Sequence, residues 1–348
     1  MSLIFMDGFS TYGTNEALTV RRGWMYIVSY GFVLDTGGRF YGGHILNTNS
    51  AGYWRLAIPG TPKSTLYFGM AVIKDEVATT SIPPDSEPTI GVMESAVEGY
   101  HVKIFANSVR GFTVKDHYDT TIGTSSAGVW PDNAWFYLEL KLVVSATVGE
   151  VVIRVNGVEV LNLTNQDTKY STDYIGILQL RCMSHDGDTK WDDFYIDDAQ
   201  FHGDVAVATY TPDGDGNYTD FNPSAGSNYE NVDDASPDDD STYNEGSAKG
   251  DKDSYGITTS LPTVCVIKGV QVSNCLRKTG TLAVKTKEIA RVNSTDYLGD
   301  ELSLSTDYLY SKKIWENNPD TSNPWIPSEI DAAEFGVEVT AMSTTTTT

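Results

Sequence analysis

The stretch 130–164, WPDNAWFYLELKLVVSATVGEVVIRVNGVEVLNLT, predicts three consecutive β-strands separated by turns. From Phe136 to Val144 apolar side chains occupy every second position, and a period of two with one apolar face is typical of a half-buried strand. Asn156 and Gly157 supply the two positive φ angles that a tight type I′ hairpin requires. This meander specifies a sheet, whereas none of its residues forms a nucleophile, a metal cluster or an acid–base pair. We therefore interpret it as scaffold.

The length and composition of the chain limit the classes of function that it can have. With 348 residues, of which 40% are apolar, it can form two ordinary domains or one large β domain with an appendage. Its 24 basic and 47 acidic residues give a net charge of −23, which repels nucleic acids and anionic membrane surfaces. No apolar segment approaches the roughly 20 residues of a membrane span. We therefore expect neither nucleic-acid binding nor membrane insertion.

The cysteines and the N-terminus bear on the compartment in which the protein is made. Cys182, Cys265 and Cys275 lack CxxC spacing, and an odd number of cysteines argues against a disulfide framework. Scattered thiols suit a protein matured in a reducing cytosol, with a single bridge between Cys265 and Cys275 as the alternative. The first ten residues, MSLIFMDGFS, have no basic region followed by a long apolar run, so we expect no signal peptide.

Two β-rich regions follow one another along the chain. Up to residue 200, short strand-like runs alternate with turn signals about every 8–12 residues, which is typical of a sandwich or barrel. The composition changes after Gly203, and residues 211–252 are dense in Asp, Asn, Gly, Ser and Pro. Aromatic residues recur through that acidic segment, which favours anchored loops over a disordered linker. Further strands are predicted at 204–209, 264–275, 281–291, 308–315 and 335–339.

These observations predict an all-β protein with two tandem β-sandwich domains. The first domain spans residues 1–203, and the second, at 204–342, is β-rich with long acidic loops. Residues 343–348 form a Thr-rich tail that cannot contribute a core of its own.

A resemblance to a known family rests on several motifs in a fixed order. The motifs are GGRFYGGHILN (37–47), GTSSAGVWPDNAWFYLELKLVV (123–144), VVIRVNGVEVLNLTNQDT (151–168) and WDDFYIDD (191–198). In this order they resemble the concanavalin A-like (laminin-G-like) jelly roll, above all the form found in tailed-phage structural proteins. The resemblance covers about residues 1–203. The second half resembles the domain that often follows this jelly roll in phage proteins, through the segments 211–224 and 314–339.

The resemblance implies a phage virion protein, synthesised in the cytoplasm of a bacterial host. Its expected role is a non-enzymatic one in assembly and adhesion, as a tail-associated, fibre-like or capsid-decorating component. Its expected partners are other virion proteins and further copies of itself, with a trimer favoured because trimers are common among phage appendages.

Catalysis is not expected from the residue patterns. The fold's relatives include glucanases, which need two carboxylates projected from one strand face, usually as E-x-D-x-(x)-E. The one match, from Glu329 to Glu334, follows Pro327-Ser328 and is predicted to lie on a short helix. No G-x-S-x-G motif is present, and the five histidines are scattered. A glucanase-like depolymerase is therefore the third hypothesis, after a virion protein and a carbohydrate-binding module.

Two kinds of binding site remain open at the level of sequence. A carbohydrate-binding module for host surface glycans needs exposed aromatic residues beside planar polar groups. The candidates are Tyr53, Trp54, Arg55, Trp130 and Trp191, although large aromatics in a sandwich are more often core. Calcium is the candidate metal because oxygen-rich loops are abundant. Its candidate ligands fall into two groups: Asp186, Asp188 and Asp192, and Asp213, Asp215 and Asn217. The second group imitates half of an EF-hand loop, but Ser224 stands where the twelfth-position Glu belongs. Asx-turns and solvated acidic loops are the alternative.

Overall fold

In the computed structural model nearly all of the regular secondary structure of the described residues is antiparallel β-sheet, which confirms the all-β prediction. The residues that the structure describes are 2–13, 20–21, 23–27, 32–35, 37–40, 45–48, 53–74, 89–95, 99–181, 183 and 189–343. The chain divides into two compact units, Met1–Ala208 and Thr209–Thr348.

The first unit is built from strands β1 to β15. Their bounds are β1 Leu3–Asp7, β2 Trp24–Ile27, β3 Phe32–Asp35, β4 Ile45–Thr48, β5 Tyr53–Ala57, β6 Thr65–Lys74, β7 Ile90–Met93, β8 Tyr100–Ala106, β9 Phe112–Lys115, β10 Thr121–Thr124, β11 Phe136–Val143, β12 Gly149–Val155, β13 Val158–Gln166, β14 Ile177–Arg181 and β15 Thr189–Asp197.

Two sheets of the first unit face each other as a β-sandwich. One has eight strands in the order β13-β12-β11-β6-β15-β4-β3, with β1 also paired to β15, and the other has seven in the order β10-β9-β8-β7-β14-β5-β2. Apolar side chains from both sheets point into the space between them, where those that the structure describes form one continuous core. The core members with no exposed surface include Phe68, Leu142, Trp54, Leu178 and Val92.

The predicted meander is confirmed in detail. Strands β11, β12 and β13 are neighbours in the eight-stranded sheet, and Leu140 of β11 lies opposite Ile153 of β12. The β12–β13 turn has φ angles of 50° at Asn156 and 77° at Gly157, as a type I′ hairpin requires.

A buried carboxylate connects the two sheets near the start of the chain. Asp7, at the end of β1, is 1% exposed and accepts hydrogen bonds from the Phe9 amide and from Nε1 of Trp24 in β2, each at 2.9 Å. The Tyr12 hydroxyl donates to the same carboxylate. Because β1 and β2 belong to different sheets, this network joins the two layers of the sandwich.

The segment 199–208, which we call the strap, closes the first unit. A strand was predicted from residue 204, but none forms there. The strap backbone instead donates to polar groups of the eight-stranded sheet. Its hydrogen bonds run from Gly203 N to Glu139 (2.8 Å), from His202 N to the Tyr195 hydroxyl (2.9 Å) and from Val207 N to Asp193 (2.7 Å). These side chains satisfy the backbone without strand pairing, which explains why the prediction was wrong.

The second unit has its own sheets and its own apolar clusters. Its elements are β16 Gly214–Thr219, β17 Asn222–Pro223, a 3₁₀ turn Tyr229–Asn231, β18 Asn244–Glu245, β19 Lys252–Gly256, β20 Val270–Leu276, β21 Ala283–Val292, β22 Thr295–Leu298, β23 Leu302–Ser303, β24 Leu309–Trp315, helix α1 Pro327–Asp331 and β25 Glu334–Ser343. A six-stranded sheet and two two-stranded sheets result. The acidic loops are anchored as predicted, since Tyr229 N donates to Asp215 and Phe221 N donates to buried Asp253.

Three details of the second unit differ from or refine the predictions. Residues 264–269 were predicted to begin a strand, but the strand begins at Val270, and Val264 is 90% exposed. Cys265 and Cys275 are not joined by a disulfide. The predicted short helix forms at Pro327–Asp331, where the Glu329 carboxylate accepts the Ile326 N–H at 3.2 Å, but Glu334, also predicted to lie on it, begins strand β25. No helix among the described residues is long and apolar enough to cross a membrane.

Candidate functional site

A row of side chains crosses the outer face of the seven-stranded sheet. The register pairs Arg55 of β5 with Gln179 of β14, and Gln179 with Gly91 of β7. Gly91 is opposite Lys103 of β8, and Lys103 is opposite Lys115 of β9. Five neighbouring strands therefore place one residue each on a line perpendicular to the strand direction. We call this line the polar row.

The strand period of two explains why these residues face outward. Each member of the polar row has sequence neighbours whose side chains lie in the sandwich core, so its own side chain points to the opposite face. Those core neighbours are Trp54, Leu56, Leu178, Leu180, Ile90, Val92, Val102, Ile104 and Val114.

The floor of the row is a chain of hydrogen bonds between three strands. Arg55 Nε donates to Gln179 Oε1 at 2.9 Å, and Gln179 Nε2 donates to the Tyr100 hydroxyl at 3.0 Å. Gln179 has no exposed surface and Arg55 is 8% exposed, so both are fixed in orientation by their neighbours. At this burial the pair holds the Tyr100 hydroxyl in place from below and does not itself meet a ligand that approaches from solvent.

Gly91 makes room for the aromatic ring of Tyr100. A Cβ atom at Gly91 would lie 2.3 Å from Cε1 of Tyr100, which is far inside van der Waals contact. The missing side chain thus lets the Tyr100 ring lie against the sheet, where its hydroxyl reaches Gln179. Gly91 therefore positions Tyr100.

Cations and aromatic rings alternate along the same face. The Arg55 guanidinium lies 4.5 Å from the Tyr53 ring centroid, and that of Arg181 lies 5.6 Å from the same ring. The Lys103 ammonium is 5.2 Å from the Tyr100 ring. Lys115 lies 4.9 Å from the ring of Phe105, which is also on this face. Tyr53, Tyr100, Lys103, Lys115 and Arg181 are all half-buried, so they remain accessible from solvent.

The buried side chain of His101 holds the loop 170–174 at one end of the face. His101 Nε2 lies 2.8 Å from the Tyr174 carbonyl oxygen, and Nδ1 accepts the Tyr170 N–H at 3.2 Å. A carbonyl only accepts and an amide N–H only donates, so the imidazole is neutral with its proton on Nε2. Burial lowers the pKa of His101, which favours the same neutral form. Glu94 holds the same loop by accepting from Ser171 Oγ (2.7 Å) and Thr172 N (3.1 Å).

The structure separates the five residues predicted to bind glycan. Tyr53 is half-buried on the outer face, whereas Trp130 is 3% exposed and belongs to the core. Arg55 lies in the polar row, but Trp54 and Trp191 are 0% and 1% exposed and belong to the core. Their indoles cannot stack on a ligand that approaches from solvent. The residues of this face that sequence reasoning missed are Tyr100, Lys103, Lys115, Gln179 and Arg181. A signal for them was present, because each follows or precedes a core residue in a strand with period two.

The structure describes four of the six predicted calcium ligands. Asp186 and Asp188 lie outside the described residues. Asp192, in β15, is 2% exposed and accepts from the Arg39 amide at 2.8 Å. The second group of candidates, at 213, 215 and 217, lies at and within β16 of the other unit, where all three are exposed. Within the described part of the chain, no group of three or more His, Cys, Asp or Glu side chains could hold a metal ion.

A second polar cluster lies on the outer face of the eight-stranded sheet, under the strap. Burial, reinforced by the charge of Asp193, raises the pKa of Asp192 to about 7. Burial likewise raises the pKa of Asp193 to about 6, against the opposing Val207 N–H and the Arg39 guanidinium. The Tyr195 hydroxyl donates to Glu139 at 2.6 Å. Because these groups bond to the strap and to one another, we interpret the cluster as its anchor.

Neither a family model nor a curated protein sequence matches the chain. Among solved structures, it is similar to a double mutant of alginate lyase Aly36B in complex with alginate trisaccharide, with 9% identity over 57% of this chain and 99% of that one, at a TM-score of 0.39. It is also similar to endo-β-1,4-glucuronan lyase from the fungus Trichoderma reesei, with 11% identity over 57% and 99% of the two chains, at 0.35. A third similar structure is domain 4 of the arabinanase AbnA from Geobacillus stearothermophilus in complex with arabinotriose, with 14% identity over 49% and 76%, at 0.34.

These comparisons correct one prediction. The protein was predicted not to be an enzyme, and that prediction is wrong as an exclusion, because solved structures similar to this chain are lyases and an arabinanase. The likeness itself assigns no activity or ligand to the chain at these scores. Function has to be argued from the polar row and its surroundings.

Proposed function

We propose that the first unit binds carbohydrate on the outer face of its seven-stranded sheet. The observation that carries this proposal is the pair of accessible rings of Tyr53 and Tyr100 beside the accessible guanidinium of Arg181, with the Tyr100 hydroxyl held in place by buried Gln179. A sugar presents hydroxyl groups around its edge and C–H groups on its faces. Planar hydrogen-bonding groups match the former, and aromatic rings match the latter.

The arrangement also fits an extended ligand better than a small one. The polar row covers five strands, which at the usual interstrand spacing is about 19 Å from Arg55 to Lys115. Several sugar units of one chain can lie along such a row. The proposal is therefore for a polysaccharide or oligosaccharide.

Binding to a polysaccharide panel tests this proposal. We expect the full chain to retain at least one polysaccharide in affinity electrophoresis, and Tyr53→Ala to weaken that binding about tenfold through loss of the stacking ring. Tyr243→Ala is the matched control, since Tyr243 is a half-exposed tyrosine of the second unit. If no polysaccharide is bound, or if both variants weaken binding equally, the proposal is wrong. Size-exclusion chromatography of the incubated polysaccharide measures whether it is also shortened.

A finer proposal places this carbohydrate binding on a phage particle. It is supported by the order of the sequence motifs that resemble tailed-phage jelly rolls, and it assigns the protein to adhesion and assembly with other virion proteins, as a homotrimer. Mass spectrometry of purified particles and analytical ultracentrifugation of the isolated protein test its two parts. A protein absent from particles, or a monomer at micromolar concentration, contradicts the corresponding part.

A further inference from the structure

The charges of the two sheets differ in a way that identifies the ligand class. We infer that the carbohydrate is a polysaccharide that carries carboxylate groups, an inference that rests on the proposed function of the same face. The seven strands β2, β5, β7, β8, β9, β10 and β14 contain no Asp or Glu. They do contain Arg55, Lys103, Lys115 and Arg181, in a chain whose acidic residues outnumber its basic ones by 47 to 24.

The eight-stranded sheet shows the opposite balance. Its only basic residues are Lys74, Lys141, Arg154 and Lys190, against a larger set of acidic ones. That set is Asp7, Asp35, Glu139, Glu150, Glu159, Asp192, Asp193 and Asp197. Both sheets thus carry four basic residues on their strands, but only the strands of the face with the polar row have a net positive charge, because they contain no acidic residue.

Two of these cations face each other directly. Lys103 and Lys115 are register partners on adjacent strands and project from the same face. Like charges in this position cost stability, whereas opposite charges contribute to it. Asp119 pairs with Lys103 at 2.6 Å, but Lys115 has no carboxylate partner among the described residues and instead lies over the Phe105 ring. An anionic group of the ligand beside Lys115 offsets the repulsion.

The spacing of the cations favours a polymer with repeated charges. Gly91, the only member of the row without a side chain, separates the Arg55–Gln179 end from the Lys103–Lys115 end. Cationic groups therefore occur at both ends of a row of about 19 Å. A chain that carries a carboxylate on successive sugars can place one at each end.

The net charge of −23 does not prevent this binding. It repels polyanions at long range, but charges separated by more than about 8 Å are largely screened at physiological ionic strength. At contact distance the groups on the face decide the interaction. We therefore expect the local cations to determine ligand choice.

A chemical change in the ligand isolates the carboxylates. The probes are polygalacturonate, alginate and hyaluronate, each compared by isothermal titration calorimetry with its carboxyl-reduced form, in which a primary alcohol replaces the carboxylate. We expect at least one native polymer to bind the full chain and its reduced form to bind about tenfold more weakly or worse. Lys115→Gln should weaken binding of the native polymer severalfold and leave the reduced form unaffected. Lys268→Gln, an exposed lysine of the second unit, is the matched control.

Each outcome decides between the two proposals. Equal binding of native and reduced polymers, or binding of neutral glycans alone, overturns the carboxylate inference and leaves carbohydrate binding intact. Equal affinity for dextran sulfate, with the same dependence on Lys115, also overturns it, since the face then selects charge alone. Absence of binding to any polysaccharide overturns the proposed function and this inference together. Thermal melting of Lys115→Gln establishes that the variant is folded, and Lys115→Glu provides a second variant whose loss of binding should be larger.

Discussion

Single residues of the binding face show that alternation along a strand predicts which side chains face outward, but not which residues they contact. In the run YWRLA, the period of two places Trp54 with Leu56 on one side and Tyr53 with Arg55 on the other. That pattern was sufficient to assign the tryptophan to the core, yet residue type alone suggested a ligand contact. The partners of Arg55 could not be predicted, because Gln179 is 124 residues away and only the register brings the two together.

Gly91 gives a test of the face at this scale. In Gly91→Ala the new Cβ would collide with the Tyr100 ring, so the ring must move away from Gln179. We expect a loss of about 1 to 3 kcal/mol in unfolding free energy, together with weaker glycan binding. Urea denaturation and calorimetry measure the two effects.

A double-mutant cycle identifies the cause of that loss. In the Tyr100→Ala background the collision no longer exists, so Gly91→Ala should then cost little stability. Gly214→Ala, where a Cβ has open space, is the control substitution. Full additivity of the Gly91 and Tyr100 substitutions would show that Gly91 acts in another way.

Secondary-structure elements were predictable where their partners are close in sequence. The meander β11-β12-β13 needs only two short turns, and its alternation and its Asn-Gly hairpin are local signals. The predictions failed at 204–209 and 264–269, where β-forming residues lie in segments without strand pairing. A high β-propensity shows that a residue suits a half-buried surface, and it does not require a neighbouring strand. The strap lies on such a surface, but its backbone N–H groups donate to the side chains of Glu139 and Asp193 and not to another strand.

Strand β15 predicts a pH dependence of stability. Burial raises the folded-state pKa of Asp192 to about 7 and of Asp193 to about 6, whereas an unfolded Asp titrates near 3.9. Between about pH 4 and 7 the folded state therefore binds more protons than the unfolded state. The contribution of these two groups to the unfolding free energy is complete below pH 4, and it is lost as the pH rises through this window. Asp192→Asn should reduce the loss by an amount on the order of a few kcal/mol.

Urea denaturation of the wild type and Asp192→Asn at pH 5 and pH 8 measures this difference. Asp213→Asn, at an exposed carboxylate, controls for the change of net charge. The interpretation requires a smaller change in unfolding free energy between the two pH values in Asp192→Asn than in the wild type. An equal change in both proteins contradicts it, whatever the absolute stability of the variant.

At the scale of the whole molecule, the change of composition after Gly203 predicted two successive β domains. Composition cannot reveal whether a segment beside this change packs on the first domain or the second. For the strap, the contacts show that it packs on the first. Val207 N donates to buried Asp193 at 2.7 Å, and the Arg39 guanidinium pairs with Asp204 at 2.7 Å. A Cβ at Gly8 would lie 2.6 Å from the Val207 carbonyl oxygen, so this part of the strap lies directly against the start of the chain.

These contacts predict where the first unit can be cut. A fragment 1–208 should fold by itself, because its core lies entirely between its own two sheets. A fragment 1–203 should be less stable by about 2 to 4 kcal/mol, because it leaves Asp193 and Arg39 without their strap partners and hydrogen bonds to charged groups contribute about 1.5 to 3 kcal/mol each. Urea denaturation of the two fragments measures the difference. The substitution Asp204→Asn removes only the ion pair with Arg39. In the longer fragment it should therefore lower the unfolding free energy by less than half of the difference between the two fragments. Equal unfolding free energies for 1–203 and 1–208 would show that the last five residues of the strap contribute nothing to the fold of the first unit.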